Sequence, residues 1–249
     1  MCMPRRVVSI HMERHVLMNK EKTKLYKVTG PKAQSLFRKE EWKLPKRKDD
    51  DNWMTKKVGK LDTLRNGYHL FEKGQLLKNL NAEIWIAETH GDRITEDDCI
   101  LVREARLVEQ VESWNSKVAT GLTFRFLAHY EELIKKTFDK SDYVVKLLKE
   151  FESLAETNDQ EHALDLRNNS QEFVTCTFEE LKTPKSAIKF AVTFLRHGLI
   201  LGNCHTSVMA RTVGHYLALA NCRDLFNVQE VYDADRKWQW RTLLKCLEG

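Results

Sequence analysis

The sequence predicts an α+β protein in which a small mixed or antiparallel N-terminal sheet is followed by a helical C-terminal half. Before Trp114, β-forming residues occur in short runs, of which residues 83–88 (EIWIAE) form the clearest strand. After Trp114, apolar residues recur every three to four positions, which is the period of an amphipathic helix. We therefore expect a β-rich α+β domain at residues 24–115 and a helical domain at residues 116–249.

Several segments of the first half carry strand or turn signals. Residues 24–28 (KLYKV) alternate polar and apolar side chains, the pattern of a half-buried strand. Asn66-Gly67 marks a turn before a short strand at residues 68–71. Residues 99–108 predict a further strand that is interrupted by two charges. Residues 53–61 have apolar side chains at near-helical spacing, so we expect a short helix or turn there.

The second half predicts a series of amphipathic helices. They lie near residues 122–134, 141–154, 183–198, 208–219 and 228–247. The third of these has the clearest boundaries, because Thr183 is a suitable N-cap, Pro184 suits the first helical position and Gly198 suits the C-terminus. Residues 157–182 are polar and predict a connector with a short helix.

Composition places the chain among ordinary globular proteins and argues against a membrane protein. Of the 249 residues, 42% are hydrophobic and 31% are charged, which fits neither a disordered nor a fibrous protein. No apolar run approaches the roughly 20 residues that span a bilayer, and residues 1–23 contain no signal-peptide core. We expect a cytoplasmic protein whose first 23 residues are a flexible tail. A leader segment and a start assigned too far upstream are the alternatives for residues 1–17.

The six cysteines and the histidines predict no metal site. The cysteines are widely scattered and form no CxxC or CxxH pair, so we expect free thiols. His197, His205 and His215 are spaced by eight and ten residues, which does not place them on one helical face. Cys204 and His205 are neighbours in the chain, and neighbouring side chains on a helix point in different directions. A cysteine nucleophile activated by this histidine is therefore not expected.

Positive charge is concentrated near the N-terminus. The whole net charge of +5 falls in residues 1–115, and the segment Lys20–Lys48 has 11 basic and 3 acidic residues. Such a segment can attract the phosphates of a nucleic acid or an acidic host protein, and otherwise it is a solvated lysine-rich face. Trp42, next to Lys43, is the candidate for stacking on a nucleobase. Core packing is the better explanation for Trp85 and Trp114.

The sequence contains no phosphate loop, dinucleotide fingerprint, zinc-protease motif or serine-nucleophile motif. The remaining candidates for catalysis are His69, which follows the turn at Gly67, and Glu88, which ends a predicted strand. An imidazole near neutral pH can act as a general base, and a carboxylate can orient a ribose hydroxyl. The alternatives are a histidine bonded to backbone and a solvated glutamate.

Several short motifs occur in an order found in a known family. They are residues 26–28 (YKV), Trp42, residues 66–70 (NGYHL), 84–88 (IWIAE), 103–108 (REARLV), 114–115 (WN) and 235–244 (DRKWQWRTLL). In these parts the chain resembles an uncharacterised family found in bacteria, notably actinobacteria, and in their phages. The resemblance implies a bacterial or phage cytosolic protein, and it brings no known activity or catalytic residue.

A second resemblance is to ADP-ribosyltransferase-like domains. In those domains, a strand with a basic or aromatic residue is followed by a strand with a tyrosine and by a later glutamate. Tyr26 or Lys27, then Tyr68 with His69, and then Glu88 would occupy these places, which implies NAD or another nucleotide as ligand. The chain departs from the pattern because it lacks the first arginine or histidine and the Ser-Thr-Ser run.

Two functions are therefore expected. The first is a phage or bacterial binding or regulatory protein that has no catalytic site, needs no cofactor and engages a host protein or nucleic acid. The second is an ADP-ribosyltransferase-like enzyme, or a protein that sequesters a nucleotide, with His69 and Glu88 converging on one cleft. The residues expected to bind the partner or ligand are Tyr26, Lys27, Trp42, Lys43 and Tyr68.

Overall fold

The computed structural model describes residues 24–35, 40–47, 51–55, 60–61, 66–138, 141–157, 159–170, 183–200, 205–223 and 227–248. Within these ranges, an antiparallel sheet occupies the N-terminal half and helices make up most of the C-terminal half. This arrangement confirms the predicted α+β class. The expected tail, residues 1–23, lies outside the described residues, and the division at residue 115 into two domains stays a prediction.

The sheet is built around one long hairpin. The strands are β1 (Leu25–Thr29), β2 (Met54–Thr55), β3 (Tyr68–Leu70), β4 (Glu83–Thr95) and β5 (Ile100–Gln110). Strands β4 and β5 form the hairpin, β1 pairs with the other edge of β4, and both β2 and β3 pair with the other edge of β5. The helix or turn expected near residues 53–61 is replaced at Met54 by strand β2, because Met54 is buried and pairs with Ala105.

A backbone bridge closes the sheet into a ring. Tyr26 in β1 and Phe71, just after β3, exchange two backbone hydrogen bonds of 2.8 Å. The ring therefore runs β1–β4–β5–β3 and back to β1, with few free edges. It encloses an apolar cluster that we call the sheet core. Its members are Leu25, Ala33, Trp42, Met54, Tyr68, Leu70, Trp85, Ala87, Ile100, Val102, Ala105 and Leu107.

Most of the helices lie within a few residues of the expected boundaries. The helix expected at residues 122–134 is instead two helices divided at Tyr130, and Gly198 lies inside the helix that it was expected to end. They are α1 (Leu76–Asn79), α2 (Ser116–His129), α3 (Glu131–Thr137), α4 (Ser141–Thr157), α5 (Gln160–Asn169), α6 (Pro184–Leu199), α7 (Thr206–Cys222) and α8 (Val228–Glu248). The predicted start of α6 is confirmed, because the Thr183 hydroxyl accepts a hydrogen bond of 3.1 Å from the backbone N–H of Ser186.

A second and larger cluster, the helical core, joins the helices to the outer face of the sheet. It includes Tyr26 and Val28 of β1 together with buried side chains of α2, α4, α6, α7 and α8. Strand β1 is therefore buried on both faces, because alternate residues face the sheet core and the helices. The strand predicted at residues 24–28 is confirmed, but the expectation that it is half-buried is wrong for this reason.

Three of the six cysteines lie within the described residues. Cys99, Cys222 and Cys246 are free thiols, as expected for these three, and Cys2, Cys176 and Cys204 lie outside the described residues. None of the helices in the described ranges has both the length and the apolar character needed to cross a membrane.

Candidate functional site

Three of the residues predicted to bind a ligand lie together inside the sheet core. The Nζ atom of Lys27 is 5.2 Å from the centre of the Trp42 ring, and the rings of Trp42 and Tyr68 are 4.9 Å apart. The exposed fractions of Lys27, Trp42 and Tyr68 are 3%, 4% and 5%. The rings are therefore packed against protein atoms, and Trp42 in this position offers no face to a nucleobase.

Burial dominates the electrostatics of Lys27. The Nζ atom donates a hydrogen bond of 3.0 Å to the backbone carbonyl of His69. Burial lowers the pKa of Lys27 to about 8, and the charge of Glu40 offsets only part of this effect. Lys27 is thus a buried amine held by a carbonyl and an aromatic ring. Its contacts are those of a residue that stabilises the fold, and they leave it no position from which to bind a ligand.

The other predicted binding residues lie elsewhere. The ring of Tyr26 belongs to the helical core, on the opposite side of β1 from Lys27. Lys43 is exposed, and its Nζ atom donates to the backbone carbonyl of Trp53 at 3.3 Å. The five predicted binding residues therefore occupy three different environments.

The predicted catalytic pair does not share a cleft. His69 pairs with Leu101 on one edge of β5, whereas Glu88 pairs with Arg106 on the other edge. Leu101 and Arg106 are five positions apart along β5, which corresponds to roughly 16 Å. The carboxylate of Glu88 accepts two hydrogen bonds, of 2.6 and 2.8 Å, from Arg106. The expected convergence is wrong, and the acid–base assignment loses its geometric basis.

A concave pocket, which we call the helical pocket, lies among helices α1, α6, α7 and α8, and the sequence analysis did not identify it. Its volume is about 460 Å³, within the range of sites that take up small molecules. The residues that line it are Lys78, Phe190, Phe194, Arg211, Thr212, His215, Tyr216, Tyr232 and Arg236.

The helical pocket is formed by side chains spaced four residues apart. Helix α6 contributes Phe190 and Phe194, and helix α8 contributes Tyr232 and Arg236. Helix α7 contributes two such pairs, Arg211 with His215 and Thr212 with Tyr216. Residues at i and i+4 lie on the same side of a helix, so each helix turns one polar or aromatic stripe toward the cavity.

Two guanidinium groups border the cavity, and neither has a carboxylate partner among the residues that the structure describes. Arg211 and Arg236 are both half-buried, and burial lowers the pKa of each. Neither of them forms an ion pair with any carboxylate of the described residues. By contrast, Lys78 at the exposed rim is 2.7 Å from the carboxylate of Asp98. Within the part of the chain that the structure describes, no carboxylate pairs with the positive charge of these two arginines.

His215 and Tyr232 are linked inside the helical pocket. Nδ1 of His215 and the hydroxyl of Tyr232 lie 2.9 Å apart and share a hydrogen bond. Burial, and secondarily the charge of Arg236, lowers the pKa of His215, while burial raises the pKa of Tyr232. Both groups are therefore neutral at pH 7, and they leave the charge of the pocket to the arginines.

Aromatic rings form the side of the cavity that helix α6 contributes. The ring of Phe190 is 4.4 Å from that of Tyr216, with planes inclined by 50°, and 5.3 Å from that of Phe194, inclined by 40°. Phe190 is the most buried of the three, whereas Phe194 and Tyr216 are half-buried. An apolar surface therefore adjoins the guanidinium groups.

The sequence contained part of this signal. Arg211 and His215, and Tyr232 and Arg236, are visible as i, i+4 pairs in predicted helices. The sequence alone presents His215 only as a possible metal ligand and Arg236 only as part of a family motif. Spacing along one helix does not show that the pairs on α6, α7 and α8 converge on one cavity.

The helical pocket can therefore hold an anion and an apolar group next to each other. Among the described residues, no group of three or more His, Cys, Asp or Glu side chains could hold a metal ion. Comparisons of the chain with protein-family models, with curated proteins and with solved structures found no match.

Proposed function

We propose that the protein is a non-catalytic binding protein that takes up a small phosphate-bearing ligand in the helical pocket. The observation that best supports this proposal is the pair Arg211 and Arg236, which border one cavity and have no carboxylate partner in the described ranges. Partly buried charges in proteins are usually paired, because removing them from water is unfavourable. A ligand with two or more negative charges would supply the missing partner for both arginines.

Phosphate suits this pair of residues because one group carries up to two negative charges and presents several oxygens. A guanidinium group donates two parallel hydrogen bonds to neighbouring phosphate oxygens, and these charge-assisted bonds are stronger than neutral ones. Arg236 is already oriented, because its Nη1 atom donates to the side-chain oxygen of Gln239 at 2.5 Å. Positioning one donor before the ligand arrives reduces the entropy that is lost on binding.

A binding or regulatory protein in a bacterial or phage cytosolic setting is the first of the two functions that the sequence predicts. Sequestration of a nucleotide belongs to the second function. The residues named for either one lie in or near the sheet, whereas the helical pocket lies among α1, α6, α7 and α8. The separation of His69 and Glu88 favours binding over catalysis.

Calorimetric titration with inorganic pyrophosphate tests the proposal. The wild-type protein should bind pyrophosphate at low ionic strength, and Arg211→Gln or Arg236→Gln should each weaken binding at least tenfold. Arg241→Gln is the matched control, because Arg241 is exposed on α8 and does not line the pocket. Its affinity should stay within twofold of wild type. Absence of binding by the wild type, or equal losses in all three variants, would contradict the proposal.

A second proposal concerns the exposed basic side chains of the N-terminal half. Lys24, Lys32, Lys43, Lys46 and Arg47 are exposed, whereas Lys27 is buried and lies outside this surface. Nucleic acid is the partner that this surface suits, and an acidic host protein is the alternative. Affinity for DNA or RNA should fall steeply with salt, and a Lys46→Glu/Arg47→Glu double variant should weaken it. Absent or salt-independent binding would contradict this second proposal.

A further inference from the structure

The volume of the helical pocket exceeds what a phosphate group requires. The cavity holds about 460 Å³, whereas a phosphate displaces only a few water molecules of about 30 Å³ each. The remaining space adjoins Phe194 and Tyr216, which are half-buried rings with part of their surface open. A ligand that fills the pocket therefore has an apolar or planar part as well as an anionic part.

From this arrangement we infer that the ligand is a nucleotide, with its phosphate on Arg211 and Arg236 and its base against the aromatic rings of Phe194 and Tyr216. The inference rests on the proposed function and adds the identity of the second group. Bases stack on aromatic side chains with little sequence preference, because every base has a flat π-surface. Phe194 lies on α6, Tyr216 and Arg211 lie on α7, and Arg236 lies on α8. All four side chains line one cavity, so both ends of one ligand can be bound together.

The structure favours a planar base over an aliphatic group. Phe190 contacts both other rings, with centroid distances of 4.4 Å to Tyr216 and 5.3 Å to Phe194, and so supports both of them from one side. The inclinations of 50° and 40° leave the rings splayed instead of stacked on each other. Splayed rings leave surface on which a third ring can pack at an ordinary aromatic distance.

The experiment compares ligands that differ only in the base. Adenosine, guanosine, cytidine and uridine 5′-monophosphates, ribose 5-phosphate and pyrophosphate are titrated into the full-length protein by calorimetry. We expect at least one nucleotide to bind tenfold or more tightly than ribose 5-phosphate. Equal affinities for all the nucleotides and ribose 5-phosphate would overturn the inference while leaving the proposed function intact. Absence of binding by every anion, pyrophosphate included, would overturn both.

Two variants then test the position of the base. Phe194→Leu and Tyr216→Leu should each reduce the advantage of the nucleotide over ribose 5-phosphate to less than threefold. Their affinity for ribose 5-phosphate itself should stay within threefold of wild type, which also shows that the variants fold. Tyr143→Leu, on α4 and away from the pocket, is the control and should keep the full advantage. A nucleotide preference that survives both substitutions would overturn the assignment of the base to these rings.

Discussion

The carboxamide oxygen of Gln239 accepts a hydrogen bond of 2.5 Å from Nη1 of Arg236 and thereby holds that guanidinium at the edge of the helical pocket. The amide nitrogen of Gln239 donates to the backbone carbonyl of Gly214 at 2.7 Å and to the hydroxyl of Tyr130 at 3.2 Å. Gln239 is fully buried. One buried amide therefore links α8 to α7 and to the end of α2, and connects the packing of the helices to the position of Arg236.

Gln239→Met should therefore reduce both stability and ligand affinity. The substitution leaves the Gly214 carbonyl and the Tyr130 hydroxyl without this partner, which lowers the free energy of unfolding by about 1–3 kcal/mol. It also frees Arg236 to adopt other rotamers, so pyrophosphate should bind more weakly. Urea denaturation and calorimetry measure the two effects.

The control for Gln239 lies on the same helix. Gln229 is exposed on α8 and bonds only to Asp233 among the described residues. Gln229→Met should change neither stability nor pyrophosphate affinity appreciably. If Gln239→Met bound pyrophosphate as tightly as wild type, the proposed orienting role of Gln239 would be wrong.

Gly214 permits the close contact between α2 and α7. A Cβ atom at this position would lie 2.7 Å from Cδ2 and 2.8 Å from Cε2 of Phe126, whose ring is fully buried. Gly214→Ala should lower the free energy of unfolding by about 1–3 kcal/mol, because Phe126 or the helix must move. Thermal or urea unfolding provides the measurement.

A second helical glycine supplies the comparison. A Cβ atom at Gly121 on α2 would meet nothing within 4 Å. Gly121→Ala should raise stability by roughly 0.5–1 kcal/mol, because alanine restricts the unfolded chain and favours the helix. Opposite signs for the two substitutions are expected, and a loss of the same size in both would refute the packing explanation.

Local patterns predicted the elements of this fold better than they predicted its site. The stripe of apolar residues and the Thr183-Pro184 start were sufficient to predict α6, because both depend only on neighbouring residues. The helical pocket depends on the relative positions of three helices. Its arginines were visible in the sequence, but their convergence results from contacts between residues far apart in the chain.

Lys27 shows a different limit of sequence patterns. Alternation around Lys27 is typical of a strand with one face in water, so a lysine in such a strand is expected to be exposed. The bridge between Tyr26 and Phe71 closes the sheet and removes that face from water. Ring closure is a long-range event, and no property of residues 24–28 indicates it.

Glu83 supports a turn with an unusual backbone. Lys32 and Ala33 have φ angles of 57° and 54°, in the left-handed region that residues other than glycine rarely adopt. The carboxylate of Glu83 accepts hydrogen bonds from the backbone N–H groups of both residues, at 2.9 and 3.0 Å. Glu83→Ala should lower the free energy of unfolding by about 1–3 kcal/mol, as measured in urea, because both donors lose a charged acceptor.

Lys32→Gly should have the opposite effect. Glycine adopts the left-handed region without strain, so stability should rise by up to about 1 kcal/mol. Lys43→Gly is the control, because Lys43 is exposed and its φ is not positive. That change should lower stability by about 0.4–1 kcal/mol, because it loosens the unfolded chain and removes one exposed hydrogen bond to the Trp53 carbonyl. A decrease of the same size in Lys32→Gly would show that residue 32 is not strained.

Lys27 should make the stability of the protein depend on pH. Its pKa is about 8 in the folded protein and about 10.4 in an unfolded chain. Between these values the unfolded chain binds more protons than the folded one, so stability rises with pH from about 8 to about 10. The rise is on the order of 3 kcal/mol in this window, and below pH 8 Lys27 adds no pH dependence because both states are protonated.

Lys27→Met isolates this contribution. The variant should lack the rise between pH 8 and pH 10 and should be more stable than wild type at pH 7, where a charged amine is otherwise buried. Urea unfolding at several pH values measures both effects, with the exposed Lys43→Met as control. The slope of the free energy of unfolding between pH 8 and pH 10 decides the matter. Loss of the hydrogen bond to the His69 carbonyl shifts the whole curve and does not by itself remove this slope. Parallel curves for wild type and Lys27→Met would mean that Lys27 keeps its ordinary pKa in the folded protein.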